Sequence, residues 1–253
     1  MHAYTNLFGL INIPSYGLMI ATGVIVANII AMIIIKKSKY DLNDFIIMEG
    51  YCLFGAFVGA KLLYLIVSFK DIQWDKIFDF NYFNNLMLAG FVFYGGLIGG
   101  LVFVFLGGKI HKINTQEYIR KFIFLIPLIH GFGRIGCHMA GCCYGRPYHG
   151  AFAIVFPENS YALPGVKLFP IQITEAILLF TIAFLMIYLG EKKNYYYTVE
   201  FYFIVYGIVR FILEFARYDE IRGIYMGLST SQWISLGLII IAVGMIIKKK
   251  RQK

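Results

Sequence analysis

The 253-residue chain is 59% hydrophobic and only 15% charged, with a mean hydropathy of +0.70. A soluble domain carries roughly a quarter charged residues, so the composition excludes one and indicates an integral membrane protein. The net charge of +9 does not point to nucleic acid, because the Lys and Arg residues cluster in short loops between apolar runs.

A spanning helix needs about 20 mostly apolar residues. Seven runs qualify as candidates, roughly Tyr16–Ile35, Phe45–Val67, Leu88–Leu106, Phe122–Cys137, Ile171–Leu189, Val199–Ala216 and Trp233–Ile247. No basic residue precedes the first run, so it lacks the charged start of a secretory signal and reads as a span beginning near Pro14. In the second and third runs, Gly55 and Gly59 are four apart, as are Gly96 and Gly100, a spacing that lets helices approach closely in lipid. The loop Ser68–Asn85 mixes Lys70, Asp71, Asp75, Lys76 and Asp79 with aromatics and reads as an interfacial amphipathic segment. The fourth run is short and holds Pro127 and several glycines. After it, residues 138–170 are rich in Gly, Pro, Tyr and Asn, which predicts a small folded cap with short strands around Ala151–Phe156. No repeat or linker interrupts the chain, so residues 1–253 read as one domain.

Basic residues near helix ends set orientation. Lys36, Lys37 and Lys39 follow the first run, Lys109, Lys112, Arg120 and Lys121 follow the third, Lys192 and Lys193 follow the fifth, and Lys248, Lys249, Lys250, Arg251 and Lys253 follow the seventh. The opposite loops hold fewer: Lys70, Lys76, Arg146, Lys167, Arg217 and Arg222. The bias predicts an all-α protein with seven transmembrane helices, the N-terminus outside, the C-terminus in the cytoplasm, and the cap extracytoplasmic.

The stretch from His130 to Arg146 carries the densest chemistry. Charge inside a bilayer is expensive, so Arg134 needs a partner or a function. Backbone that leaves helical form at membrane depth must be buried in protein or line a wet cavity, so a polar pocket near the outer face is expected. Cys137, His138, Cys142 and Cys143 follow. They could hold zinc, although adjacent cysteines are an unusual ligand pair. A disulfide, or a thiol activated by Arg134 or His138, is equally consistent with the pattern. Cys52 lies in an apolar run and reads as a core residue.

Tyr206, Arg210, Glu214 and Arg217 recur at intervals of four, four and three, which puts them on one helical face. One reading is a structural Arg210–Glu214 pair. The other is an anion site, because two arginines and one glutamate leave net positive charge and a guanidinium matches phosphate oxygens in bidentate fashion. With Arg134, Arg210 would form a two-arginine clamp on a phospholipid headgroup. Pro170 starts the fifth run, placing Gln172 and Glu175 in its first turn, either as helix-start chemistry or as site residues. Tyr94-Gly-Gly opens the third span, either as an interfacial anchor or beside a ligand.

These residues resemble the prolipoprotein diacylglyceryl transferase family over most of the chain. Tyr16-Gly-Leu, Phe93-Tyr94-Gly-Gly-Leu97, Gly133-Arg134-Ile-Gly-Cys137, Gly141-Cys142, Gly145-Arg146, Pro170 to Glu175, Tyr206 to Glu214 and Met226 to Gln232 match family segments in turn. The departures are Tyr94 in place of a histidine, Cys137 in place of an asparagine and Cys142 in place of a glutamate. The resemblance implies transfer of diacylglyceryl from phosphatidylglycerol to the lipobox cysteine of a prolipoprotein, in a bacterial inner membrane, with glycerol phosphate released and no cofactor. It implies Arg134, Arg210 and, at the position of its histidine, Tyr94 as catalytic candidates, with His138 or His130 as a substitute for that missing base. Tyr16, Cys137, Cys142, Gly145, Gln172, Glu175, Tyr206 and Glu214 would line the substrate pocket. A paralogue with another acceptor, a non-enzymatic lipid-binding or Cys-cluster protein, and a transporter are the competing readings. The absence of an evident inverted repeat in the sequence weakens the last.

Overall fold

The structure, a computed structural model, describes residues 4–7, 11–88, 90–158, 160–192, 196–218 and 223–251. Lys193, Arg222 and Lys253 of the charge pattern lie outside them. A hairpin of β1 (Tyr4–Leu7) and β2 (Ile11–Pro14) leads into α1 (Ser15–Lys37) and α2 (Leu42–Val67). A 3-10 turn, Trp74–Lys76, and α3 (Phe80–Leu88) precede α4 (Phe93–His111). Next come α5 (Thr115–Phe122), α6 (Leu125–Ala140) and the antiparallel pair β3 (Ile154–Val155) with β4 (Lys167–Leu168). Helices α7 (Ile171–Lys192) and α8 (Thr198–Leu213) follow, the latter continued by a 3-10 turn, Glu214–Ala216. A last hairpin, β5 (Ile224–Tyr225) with β6 (Leu228–Ser229), leads into α9 (Thr230–Arg251).

Five helices are long and apolar enough to cross a membrane: α1, α2, α4 from Tyr94, α7 and α9. The pair α5 and α6 bends by 45° and counts as a sixth candidate, as a broken span or a re-entrant loop. Pro127 lies in the first turn of α6, where its missing N–H is tolerated. The chain is therefore a mostly helical, multi-pass membrane protein. Helix α8 has only 16 residues, about 24 Å at 1.5 Å per residue, and is short for a span by itself. Three boundaries differ from the sequence expectation. The third span starts at Phe93 and not Leu88, after a turn at Gly90 (φ 71°). The cap starts at Gly141, because α6 runs to Ala140. The sixth helix gives up α-geometry at Glu214.

The coordinates fall into two compact units, Met1–Ile33 with Ile119–Lys253, and Ile34–Tyr118. In the second, Asp41 caps α2 by accepting hydrogen bonds from the N–H groups of Asn43 (2.7 Å) and Asp44 (3.1 Å). Helices α2 and α4 then pack backbone to backbone. A Cβ added at Gly59 would sit 2.3 Å from Gly95 O, and one at Gly99 would sit 2.2 Å from Gly55 O. The close seam thus joins Gly55 and Gly59 to Gly95 and Gly99, with Gly96 and Gly100 flanking it. Lys61, buried on α2, donates to Leu86 O and lies over the rings of Tyr64 (4.9 Å) and Phe91 (5.1 Å), which offsets a charge in an apolar setting. The measurable consequence is that Gly59→Val opens the α2–α4 seam and destabilises by about 1–3 kcal/mol. Gly50→Ala, on the same helix but with nothing within 4 Å of the new Cβ, should be neutral or stabilising. Thermal unfolding of both variants in detergent checks the contrast; equal melting temperatures would contradict it.

In the first unit, Ala27, Leu128 and Ala183 form a core joining α1, α6 and α7, with Ile30, Ile129, Phe132 and Phe180 around it. The glycines of α6 make this grip close. A Cβ at Gly131 would lie 2.6 Å from Phe180, and one at Gly136 would lie 2.9 Å from the Tyr16 backbone. Helix α8 packs against α7 and α9, and buried Glu200 pairs with Lys249. The cap core is Phe156, Ala162 and Leu168, over which Tyr144, Ile154 and Val166 fold.

Candidate functional site

Arg134 projects from the middle of α6 and is held by Glu175 from the second turn of α7, just past the first turn where the sequence reading put it, with Nε 3.0 Å from Oε2. Glu175 is 2% exposed, so this carboxylate is committed to the protein interior, not to solvent at the helix start. Its other oxygen lies 3.9 Å from His130 Nε2. The His130 ring meets Tyr206 edge to face at 5.7 Å, and Tyr206 stacks on Tyr202 at 5.5 Å. Arg134 and the α8 face that carries Tyr206 and Arg210 therefore approach each other at His130, through Glu175 on one side and the Tyr206 ring on the other.

Arg210 is fixed from two sides. Its Nη2 lies 2.9 Å from Glu214 Oε2 and donates to Ser231 Oγ at 2.9 Å. Arg217 Nη1 stands 3.9 Å from the same Glu214 oxygen. Ser231 is well placed because α9 begins with a capping box. Ser229 Oγ accepts from Gln232 N–H at 3.3 Å, and Gln232 Oε1 accepts from Ser229 N–H at 2.9 Å. Arg210 Nη1 is buried with no hydrogen-bond acceptor among the described residues. A buried, charged donor left without an acceptor demands an explanation, and an anionic ligand supplies one.

The cysteines gather at the end of α6. Gly141 (φ 76°) closes the helix in a Schellman turn, with Cys142 N–H bonded to Cys137 O (3.1 Å) and Gly141 N–H to His138 O (3.3 Å). That turn folds Cys142 back over Cys137. Cys143, itself left-handed at φ 54°, completes the group, and the three sulfurs lie within 4.8 Å of one another. All three are free thiols, and the Cys142 carbonyl accepts from Gln172 Nε2 at 2.9 Å. Hydrogen bonds from the Cys137 and Cys142 thiols hold the Cys143 thiol below its ordinary value, and the charges of Arg134 and Arg217 act in the same direction. His138 is not in the sulfur group; its ring meets Phe156 of the cap edge to face at 5.6 Å. Tyr16, at the start of α1, packs against Gly136 of α6, one residue before Cys137.

Gly145 anchors the cap to the end of α8. It bridges Arg217, with Arg146 N–H bonded to Ala216 O at 3.0 Å and Tyr218 N–H to Tyr144 O at 3.1 Å. A Cβ there would lie 2.4 Å from Phe169 O, so only glycine lets the strand pass. Tyr94 belongs to the other unit, where it sits in the first turn of α4, partly exposed.

Arg134, Cys137, Cys142, Gly145, Gln172, Glu175, Tyr206, Arg210 and Glu214 thus converge within one unit. Sequence reasoning missed one member outright and the connections of two others. His130 was read as a spare base, Ser231 was not singled out, and Glu175 was not matched to Arg134. Of these, Ser231 had a legible signal, the Ser-x-x-Gln start of α9.

A family model described as prolipoprotein diacylglyceryl transferase matches residues 3–248. Among curated relatives, phosphatidylglycerol–prolipoprotein diacylglyceryl transferase 2 of Clostridium perfringens is 37% identical over 236 residues, covering 93% of this chain and 90% of its own. A phosphatidylglycerol–prolipoprotein diacylglyceryl transferase of Clostridium tetani is 38% identical over 239 residues, covering 94% and 93%. One from Finegoldia magna is 29% identical over 251 residues, covering 98% and 95%.

Proposed function

The chain belongs to the prolipoprotein diacylglyceryl transferase family, and on that premise we propose how its residues divide the work of moving diacylglyceryl from phosphatidylglycerol to the lipobox cysteine of a prolipoprotein. It is a transferase. The thiol sulfur forms a bond to the glyceryl methylene carbon as the C–O bond to phosphate breaks, and the electron pair leaves on the phosphate oxygen of glycerol phosphate. Two needs follow: a deprotonated thiol and a held phosphate.

Arg134 and Arg210 hold the phosphate. The single observation that carries this reading is Arg210 Nη1, a buried charged donor without an acceptor among the described residues, on the helix face that meets the Arg134–Glu175–His130 group through Tyr206. Glu214 and Ser231 orient Arg210, and Glu175 orients Arg134. Donors fixed in advance at developing negative charge lower the barrier without reorganising as the reaction proceeds. Tyr16 and Tyr206 line the headgroup pocket, Gln172 and Gly145 fix its Cys-bearing rim, and Cys137 and Cys142 face the acceptor. Tyr94 stands where the family has its histidine and is a poor base, so His138 or His130 takes the proton of the acceptor thiol.

The finer architecture is proposed with it. The chain is one integral membrane domain of the bacterial cytoplasmic membrane with seven spans, α8 and the bent α5–α6 pair completing the count. The N-terminus and the cap, about residues 141–170, face outward, and the Lys-rich end of α9 faces the cytoplasm. On this reading phospholipid enters laterally, between helices.

The test is transfer itself. Membranes containing the chain, given phosphatidylglycerol labelled in its acyl groups and a lipobox peptide, should label the peptide. The chain should also restore growth to a strain depleted of its own transferase. An unlabelled peptide with no rescue, from protein that is folded and inserted, would overturn the assignment.

A further inference from the structure

We propose that Cys137, Cys142 and Cys143 together bind one thiophilic divalent cation of the zinc class through their sulfurs, and that the open fourth coordination position takes the thiol of the acceptor cysteine. This rests on the transferase reading and specifies how the acceptor is held.

The geometry of the group carries the argument. Three sulfurs within 4.8 Å of one another need to draw in by about 1 Å to reach the spacing of roughly 3.8 Å that a tetrahedral ion with 2.3 Å metal–sulfur bonds imposes. The backbone has already arranged them. The Schellman turn at Gly141 returns Cys142 to Cys137, and the left-handed Cys143 turns the next side chain to the same side. A non-glycine residue in that conformation carries strain that persists only where its surroundings fix it. Gln172 from α7 pins the same loop through the Cys142 carbonyl. The site is held by two helices and is not a chance meeting of loop side chains.

Ligand number then distinguishes a structural ion from a working one. Structural sites close with four protein ligands, whereas catalytic sites use three and keep one position open. Among the described residues the group holds three ligand atoms and no fourth Cys, His or carboxylate. Cys137 is buried, but Cys142 and Cys143 are only half-buried, so the open side is reachable. Charge agrees as well. A divalent ion with three thiolates is a monoanion, and with a fourth thiolate a dianion. Arg134, one helical turn before Cys137 on the same face of α6, and Arg217, bridged to Gly145 two residues after Cys143, bring positive charge to that end of the helix.

Arg134 also belongs to the phosphate cluster, so an acceptor sulfur in the fourth position would be presented beside the held phosphate. Coordination displaces the S–H proton, which passes to the histidine that acts as proton acceptor. The sulfur then gives its electron pair to the glyceryl carbon as the C–O bond to phosphate breaks, and the metal stays divalent throughout. The thioether formed is a poor ligand and departs.

Cobalt(II) replacing the native ion provides the readout. Full-length protein purified in detergent with its thiols reduced should take up one equivalent of cobalt. Its sulfur-to-metal charge-transfer band should have the intensity of three thiolates, and its visible bands should shift with a lipobox peptide containing Cys but not with the same peptide containing Ser. Cys143→Ser should keep its melting behaviour and lose about a third of the charge-transfer intensity. No stoichiometric uptake by reduced protein, a disulfide among the three, or bands that ignore the Cys peptide would each overturn the proposal. Labelled-lipid transfer by apo and loaded protein, measured in parallel, separates the two readings. Equal rates in both would sink the metal's role and leave the transferase standing. A peptide-responsive cobalt site without transfer in either form would sink the transferase assignment instead.

Discussion

Arg210→Ala lowers the rate of diacylglyceryl transfer by roughly two to three orders of magnitude, the loss expected when one preorganised donor is removed from developing anionic charge. The substitution removes the Nη1 donor that has no protein acceptor, together with the Nη2 contacts to Glu214 and Ser231. Glu214 is not stranded, because Arg217 stands 3.9 Å from its Oε2. The fold should therefore tolerate the change better than the chemistry does. Arg210→Lys sharpens the test. It retains the positive charge but not a planar fork reaching Glu214, Ser231 and a phosphate at once, so an intermediate loss of ~10-fold is expected. Arg134→Ala should fall with Arg210→Ala. If Arg210→Ala moves labelled diacylglyceryl at the parent rate while correctly folded, the phosphate is not held where we place it.

Much of this site was legible in the sequence, for a physical reason. Arginine and glutamate inside an apolar run have so few explanations that position alone is informative. The stripe from Tyr206 to Glu214 was legible because α-helical spacing is local, and the Arg210–Glu214 pair closes at 2.9 Å across that spacing. Glu175 was only half legible. Its expected place in a helix's first turn offered a local account, an acid complementing the dipole, and nothing in the sequence says that α7 packs beside α6 at the height of Arg134. Pairings between elements need the tertiary structure.

The same division runs through the fold. Long apolar helices such as α1 and α7 announce themselves by length and composition. Helix α8 did not announce its limits, because its polar face and its 3-10 end make it read as longer than its 16 helical residues. The hairpins β1–β2 and β5–β6 are two to four residues per strand, too short for an alternating pattern to stand out against apolar neighbours. The cysteines were visible as a group. What brings them within one ion's reach is the left-handed turn at Gly141, which spacing alone does not reveal.

Glu175→Ala should be the most destabilising single change in the site. It leaves Arg134, only 12% exposed at its side chain, without its counter-ion, and an uncompensated buried charge costs about 3–5 kcal/mol. For a chain of this size that corresponds to a fall of roughly 6–20 °C in melting temperature. Glu175→Gln keeps the volume and an acceptor oxygen, so it should fall between Ala and the parent. The decisive variant is the pair Arg134→Met with Glu175→Met. Replacing both partners of a buried ion pair by apolar groups of similar size removes the desolvation cost along with the attraction, so the double change should recover most of the stability lost in Glu175→Ala. It should recover no transfer, since the phosphate has still lost Arg134. Melting curves in detergent and labelled-lipid assays on the same preparations give both numbers. Were the double variant as unstable as Glu175→Ala, the cost would lie in packing between α6 and α7, and the view of Glu175 as the carboxylate that stations Arg134 for the phosphate would be lost.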